Sequence, residues 1–93
     1  KKLYREQSRK IIIIDVREKN EFEKFSLKGS ICIPLSSFKK KSSWEFIKSK
    51  YLHKKIFTLC QKGTRSKKAS HFLRSQEIET IAVEGGIEKI GKD

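Results

Sequence analysis

Ile56-Phe57-Thr58-Leu59-Cys60-Gln61-Lys62-Gly63-Thr64-Arg65-Ser66 is the stretch of the chain that decides its fold. Its first four residues form a short apolar run that reads as a buried strand. Cys60 ends the run, Gly63 breaks the loop behind it, and Arg65 closes that loop. From Ser66 to Gln76 the pattern turns helical, with Ala69, Phe72 and Leu73 on the inner face. A thiol between the carboxyl end of a strand and the amino end of a helix sits where backbone N–H groups and the helix dipole favour an anion.

Outward from this stretch the alternation repeats. Ile11-Ile12-Ile13-Ile14 reads as a strand buried on both faces and ended by Asp15. Asn20 with Glu23 reads as a helix start, with Phe22 and Phe25 on one face. Gly29 then breaks the helix, and Ile31-Cys32-Ile33 is a second strand stopped by Pro34. Ser42 with Glu45 is a further capping-box signal, beside Trp44, Ile47 and Tyr51 at helical spacing. Ile78, Ile81 and Val83 mark a fourth strand closed by Gly85-Gly86, and Ile87 and Ile90 a last amphipathic turn. Strands alternating with helices predict an α/β fold with a central, mainly parallel sheet flanked by helices on both faces. Sites in such sheets form at the carboxyl ends of strands, which here carry Asp15, Cys60 and the glycine pair.

The chain has 93 residues, enough for one domain with one core. Its opening segment, KKLYREQSRK, reads as the back half of a helix, and the chain contains no methionine. A single domain, residues 1–93, excised from a longer polypeptide is the expectation. Apolar residues make up 35% and charged residues 37%, but the apolar ones are grouped into dense runs, which favours a folded domain over disorder. No run approaches the roughly 20 apolar residues of a membrane span, and no signal-peptide pattern opens the chain. A soluble protein is expected, in the cytoplasm or another reducing compartment such as a plastid stroma. Cys32 and Cys60 do not make a disulfide framework, no Cys/His cluster has zinc spacing, and His53 and His71 stand alone. No metal is expected. The net charge of +12 comes mostly from lysines spread along the chain. It reads first as a solvated surface, then as a surface for an acidic protein partner, and last as a nucleic-acid surface. Lys39-Lys40-Lys41, in what reads as a connecting loop, is the place for a docking surface.

A free thiol with a pKa of about 8.5 is only a few per cent ionised at neutral pH. The loop offers inward-pointing amides, a helix dipole, the charge of Arg65 and, more loosely, that of Lys62. Gly63 permits a backbone conformation that a side chain would forbid. The same cradle suits a persulfide, whose terminal sulfur is also anionic. Cys32, between two isoleucines, reads as packing.

Asp15-Val16-Arg17-Glu18, then Glu21-Phe22, then Gly29 through Ile33-Pro34-Leu35, resemble the first half of a rhodanese domain. Cys60-Gln61-Lys62-Gly63-Thr64-Arg65-Ser66 resembles its active-site loop and Glu84-Gly85-Gly86-Ile87 its closing glycine pair, so that the likeness covers roughly residues 11 to 90. The resemblance implies a sulfurtransferase in which Cys60 takes a sulfane sulfur, carries it as a covalent persulfide without a separate cofactor, and passes it to a nucleophilic acceptor. It implies that Gln61, Lys62, Gly63, Thr64 and Arg65 cradle the persulfide, Arg65 also helping to bind an anionic donor. Asp15 and Arg17 match the family's buried pair that supports the loop, with Ser66, Gly85 and Gly86 in supporting places. The implied partners are a small sulfur donor or a cysteine-desulfurase-type persulfide donor, and an acidic sulfur-carrier protein, since these domains are often fused to adenylyltransferases that charge such carriers. Neither a membrane nor nucleic acid is expected. Four residues separate Cys60 from Arg65, as in the sulfurtransferase branch; the phosphatase and arsenate-reductase branch has one more. The chain departs from the family at Ser26, Ser30 and Cys32, where histidine, alanine and asparagine are usual, and has no tryptophan after its glycine pair. The family's first strand, the start of its first helix and its last helix are not expected within these 93 residues. The alternatives are a non-catalytic binding module and a phosphatase or arsenate reductase of the same fold.

Overall fold

The computed structural model describes residues 10–91. The helix expected in the opening segment lies outside them, apart from Lys10, which sits in a turn.

β-branched residues build strand β1, Ile11–Asp15. Helix α1, Lys19–Lys24, follows, then β2, Ile31–Cys32, and a 3-10 turn, Leu35–Lys39. Helix α2, Lys41–Tyr51, leads to β3, Lys55–Leu59, and helix α3, Thr64–Ser75. The described chain ends with β4, Thr80–Ala82, and helix α4, Gly86–Gly91. All strand pairs are parallel, in the order β2-β1-β3-β4. The path steps one way from β1 to β2 and the other way from β2 to β3. Right-handed crossovers therefore put α1 on one face and α2 and α3 on the other.

Side chains alternate along a strand, so Ile12, Ile14 and Val16 of the first strand region point to one face. They join Ile56 of β3, Ile47 and Tyr51 of α2, and Ala69 and Leu73 of α3 in the main core. Phe72 sits between Phe38 and Trp44, with ring centroids at 5.7 and 6.2 Å, and locks the two helices together. Burying these side chains completely stabilises each by about 1.5–3 kcal/mol.

Several local expectations shift. Helix α1 starts at Lys19, not Asn20, because the Glu18 N–H is taken by the Glu21 carboxylate at 3.0 Å. The Ser42–Glu45 box does not form: α2 begins at Lys41, and Glu45 pairs with Lys41 at 3.6 Å. Lys39-Lys40-Lys41 is accordingly the end of the 3-10 turn and the start of α2, not a loop. Helix α3 begins two residues before Ser66 because Gly63, with φ 112°, supplies its left-handed cap. On edge strand β4, Thr80 faces inward and Ile81 is 46% exposed. Phe25 caps the end of α1 at 55% exposure, and Ile11 to Ile13 are only half-buried.

Candidate active site

Cys60 follows the last residue of β3, and the chain doubles back over its sulfur before entering α3. The Gly63 N–H donates to Cys60 Sγ at 3.0 Å and the Ser66 N–H at 3.2 Å. The Ser66 hydroxyl braces the same turn by donating to Gly63 O at 2.9 Å. Burial pushes the Cys60 thiol up. The Ser66 hydroxyl and the amides of Ser66, Gly63 and Arg65 outweigh that effect, so the thiol is held below its ordinary value. Cys60 is 1% exposed, at the floor of a pocket of about 200 Å³ lined also by Gln61, Lys62, Thr64 and Arg65. A larger hollow of about 850 Å³ runs along α2 and holds none of these residues.

The loop is pinned from behind. The Ile87 N–H donates to Cys60 O at 2.8 Å and the Glu88 N–H to Gln61 O at 3.1 Å. A side chain on Gly86 would place its Cβ 2.5 Å from both of those carbonyl oxygens, which explains a glycine there. On the core side the Thr58 hydroxyl donates to Ser66 O at 2.9 Å and accepts from Ser70 Oγ at 2.8 Å. Every polar group of this buried strut is therefore satisfied.

Two arginines stand around the loop. Arg17 is buried against Asp15, with Nε at 3.0 Å from Oδ1 and Nη2 at 2.8 Å from Oδ2. Its remaining donors reach Phe25 O at 2.6 Å and Gln61 Oε1 at 3.4 Å, so the pair ties β1, the end of α1 and the loop together. Arg65 turns to α1, where its Nη1 and Nη2 meet Glu21 Oε1 and Oε2 at 2.7 and 3.0 Å. Among the described residues Lys62 has no ion-pair partner.

The structure thus brings Gln61, Lys62, Thr64 and Arg65 together with Cys60 around one pocket, with Gly63, Ser66 and Gly86 holding the loop and Asp15 and Arg17 one layer out. Gly85 stands against the loop at Gly63, whose added Cβ would lie 3.3 Å from Gly85 N. Sequence reasoning missed Glu21 as the partner of Arg65 and missed the Thr58–Ser70 strut. Only Glu21 carried a signal, its place in the Glu21-Phe22 motif.

Cys32 stands apart. It ends β2, half-buried rather than packed in the core, and its thiol donates to Arg17 O at 3.6 Å. Because β1 separates β2 from β3, the two cysteines lie about 10 Å apart, too far for a disulfide. Among the described residues no group of three His, Cys, Asp or Glu side chains could hold a metal ion, and no helix is long and apolar enough to cross a membrane.

The family model of the rhodanese-like domain matches residues 1–93. Over 86 residues, 91% of this chain and 21% of the relative, the sequence is 40% identical to the "Probable molybdopterin-synthase adenylyltransferase" of Porphyra purpurea. Over 84 residues, 88% of this chain and 26% of the relative, it is 36% identical to a tRNA uridine(34) hydroxylase of Staphylococcus carnosus. The chain thus spans about a quarter of the length of the curated relatives it matches. Among solved structures, a rhodanese-related protein from Thermoplasma volcanium superimposes with a TM-score of 0.79 at 33% identity, covering 97% of this chain and 84% of that one.

Proposed function

Since the chain belongs to the rhodanese-like domain family, we propose that it is a sulfurtransferase with Cys60 as its nucleophile. One observation carries this reading: the Cys60 sulfur accepts two loop N–H groups at the floor of a small pocket, and its thiol is held below the ordinary value. The ionised sulfur attacks the sulfane sulfur of a donor. A new S–S bond forms at Cys60, the donor's S–S bond breaks, and its remaining sulfur leaves with the electron pair. With thiosulfate the leaving group is sulfite. The terminal sulfur then occupies the pocket, where Gln61, Lys62, Thr64 and the amides of the loop surround it. A nucleophilic acceptor such as cyanide attacks that sulfur and releases the Cys60 thiolate. No bound cofactor enters these steps.

The adenylyltransferase relative, in which the matched region is 21% of a longer protein, supports a relay role, with a sulfur donor on one side and an acceptor protein on the other. The lysine-rich surface suits an acidic acceptor, and a reducing compartment would keep Cys60 free. The test is mass spectrometry of the protein after thiosulfate or a persulfide donor. One extra sulfur atom on the Cys60 peptide, discharged by cyanide as thiocyanate, is the expected result. A Cys60 that never gains sulfur from any donor would sink the reading and leave a non-catalytic binding module. That alternative has one point in its favour: several relatives are named for a hydroxylase and not for sulfur transfer.

A further inference from the structure

The cation that closes the loop is already paired. Both terminal nitrogens of Arg65 donate to Glu21, and the two side chains are 35% and 32% exposed at the rim of the site. Glu21 is fixed in turn, since its Oε1 also accepts the Glu18 N–H at the start of α1. The hydrogen bonds from Arg65 hold the Glu21 carboxyl down to about 2, so the pair stays ionised wherever Cys60 is a thiolate. Among the lining residues the formal charge is therefore +1 from Lys62 and −1 from ionised Cys60, with Arg65 neutralised by Glu21; Glu88 adds a carboxylate behind Gln61.

Donors of different charge meet this balance differently. Thiosulfate is a dianion, and its attack by the Cys60 thiolate gathers three negative charges, of which one stays on the Cys60 persulfide and two leave with sulfite. A thiol persulfide, though its terminal sulfur readily ionises, is electrophilic only in its protonated form, and that form brings no charge to the reacting sulfurs. The thiolate attacks the outer sulfur, the donor S–S bond breaks, the thiolate of the donor leaves, and the proton stays on the transferred sulfur. A freed guanidinium would favour the first donor far more than the second.

We propose that Glu21 determines donor specificity: by occupying Arg65 it biases the site toward thiol persulfides and against dianionic donors such as thiosulfate. This rests on the sulfurtransferase reading of Cys60 and names the donor class within it. Glu21 does not touch the reacting sulfurs. It is a positioning residue that acts through Arg65.

The experiment measures the second-order rate of sulfur loading onto Cys60 by mass spectrometry, with thiosulfate and with cysteine persulfide. It compares the parent protein, Glu21→Gln, Arg65→Gln and the double variant, each checked for native circular dichroism. The quantity read is the ratio of the two rates. Glu21→Gln frees a positive charge and should raise the thiosulfate-to-persulfide ratio about fivefold, the scale of a half-exposed ion pair. Arg65→Gln strands a carboxylate at the rim and should lower the ratio by a similar factor. The double variant removes both charges and should return the ratio to within about twofold of the parent. A merely structural role would move both donors together in every variant, and an unchanged ratio overturns the proposal. If the parent protein loads from neither donor, it is the sulfurtransferase reading that fails. Loading with a constant ratio defeats the Glu21 assignment alone.

Discussion

Cys60 and Cys32 stand at the same edge of one parallel sheet, on either side of β1, and their surroundings push their thiols in opposite directions. Behind Cys60 the chain turns through a left-handed glycine into a 12-residue helix, and two N–H groups face its sulfur. Behind Cys32 it runs through Ile33 and Pro34 into a short 3-10 turn, and the sulfur meets a carbonyl oxygen instead. Burial raises the Cys32 thiol, and the nearby Asp15 carboxylate adds to the effect. Burial raises Cys60 too, but there the donors outweigh it. A cysteine at a strand end is therefore not enough. The number of donors facing the sulfur decides whether the thiol becomes an anion.

The sharpest way to break the comparison is to exchange the two sulfurs for oxygen one at a time. Cys60→Ser should cut thiocyanate formation from thiosulfate and cyanide by more than about a thousandfold. Cys32→Ser should stay within about twofold of the parent protein. Equal losses in the two variants would remove the functional distinction between them.

The strand between the cysteines carries the next largest effect. Asp15→Asn leaves Arg17 buried without its charge partner, and breaking a buried pair costs about 3–5 kcal/mol. That is a large share of the roughly 5–15 kcal/mol that holds a small domain folded. Urea denaturation reads it directly, and a loss below about 1 kcal/mol would show that hydrogen bonds from Arg17 to Phe25 O and Gln61 suffice to hold the loop.

Much of this arrangement was legible in the chain because it is local. The apolar run before Cys60, the glycine three residues on and the helical pattern after Ser66 are contiguous, and so is the Asp15–Arg17 pair. Helix starts moved by a residue or two because capping depends on which carboxylate folds back. At α1 Glu21 bonds the Glu18 N–H, and at α2 the 3-10 turn delivers Lys40 where Ser42 was expected. Ile81 marks a strand in the sequence, but that strand lies at the edge of the sheet and leaves the side chain 46% exposed. The Glu21–Arg65 contact joins residues 44 apart, and only the fold brings them together. The same holds for Gly86 against the Cys60 and Gln61 carbonyls.

That last contact gives a way to blur the difference between the thiols without touching either one. Gly86→Ala would set a Cβ 2.5 Å from two backbone oxygens at φ 65°. Left-handed strain of about 1–2 kcal/mol and overpacking of about 1–3 kcal/mol add to a cost near 3 kcal/mol. As the loop gives way, the amides facing Cys60 move off. Its thiol should rise toward the ordinary range, read from the pH dependence of iodoacetamide labelling, while the profile of Cys32 stays where it was. A Gly86→Ala protein with an unshifted Cys60 profile would show that the loop holds its shape without α4.

The smallest effect has the most telling sign. Cys60, held below the ordinary thiol value, contributes stability that is fully present above the unfolded pKa and is lost as the pH falls through its lower folded pKa. Cys32, pushed above that value, contributes stability that is present below the unfolded pKa and is lost as the pH rises through its higher folded pKa. With an unfolded thiol near 8.5, Cys60→Ser should remove a rise in unfolding free energy on the acid side of about 8.5. Cys32→Ser should remove a fall above about 8.5. Urea titrations taken at half-unit steps of pH read both changes. The two variants should therefore depart from the parent curve with opposite slopes. Parallel curves would mean that the fold treats the two sulfurs alike, whatever their hydrogen bonds suggest.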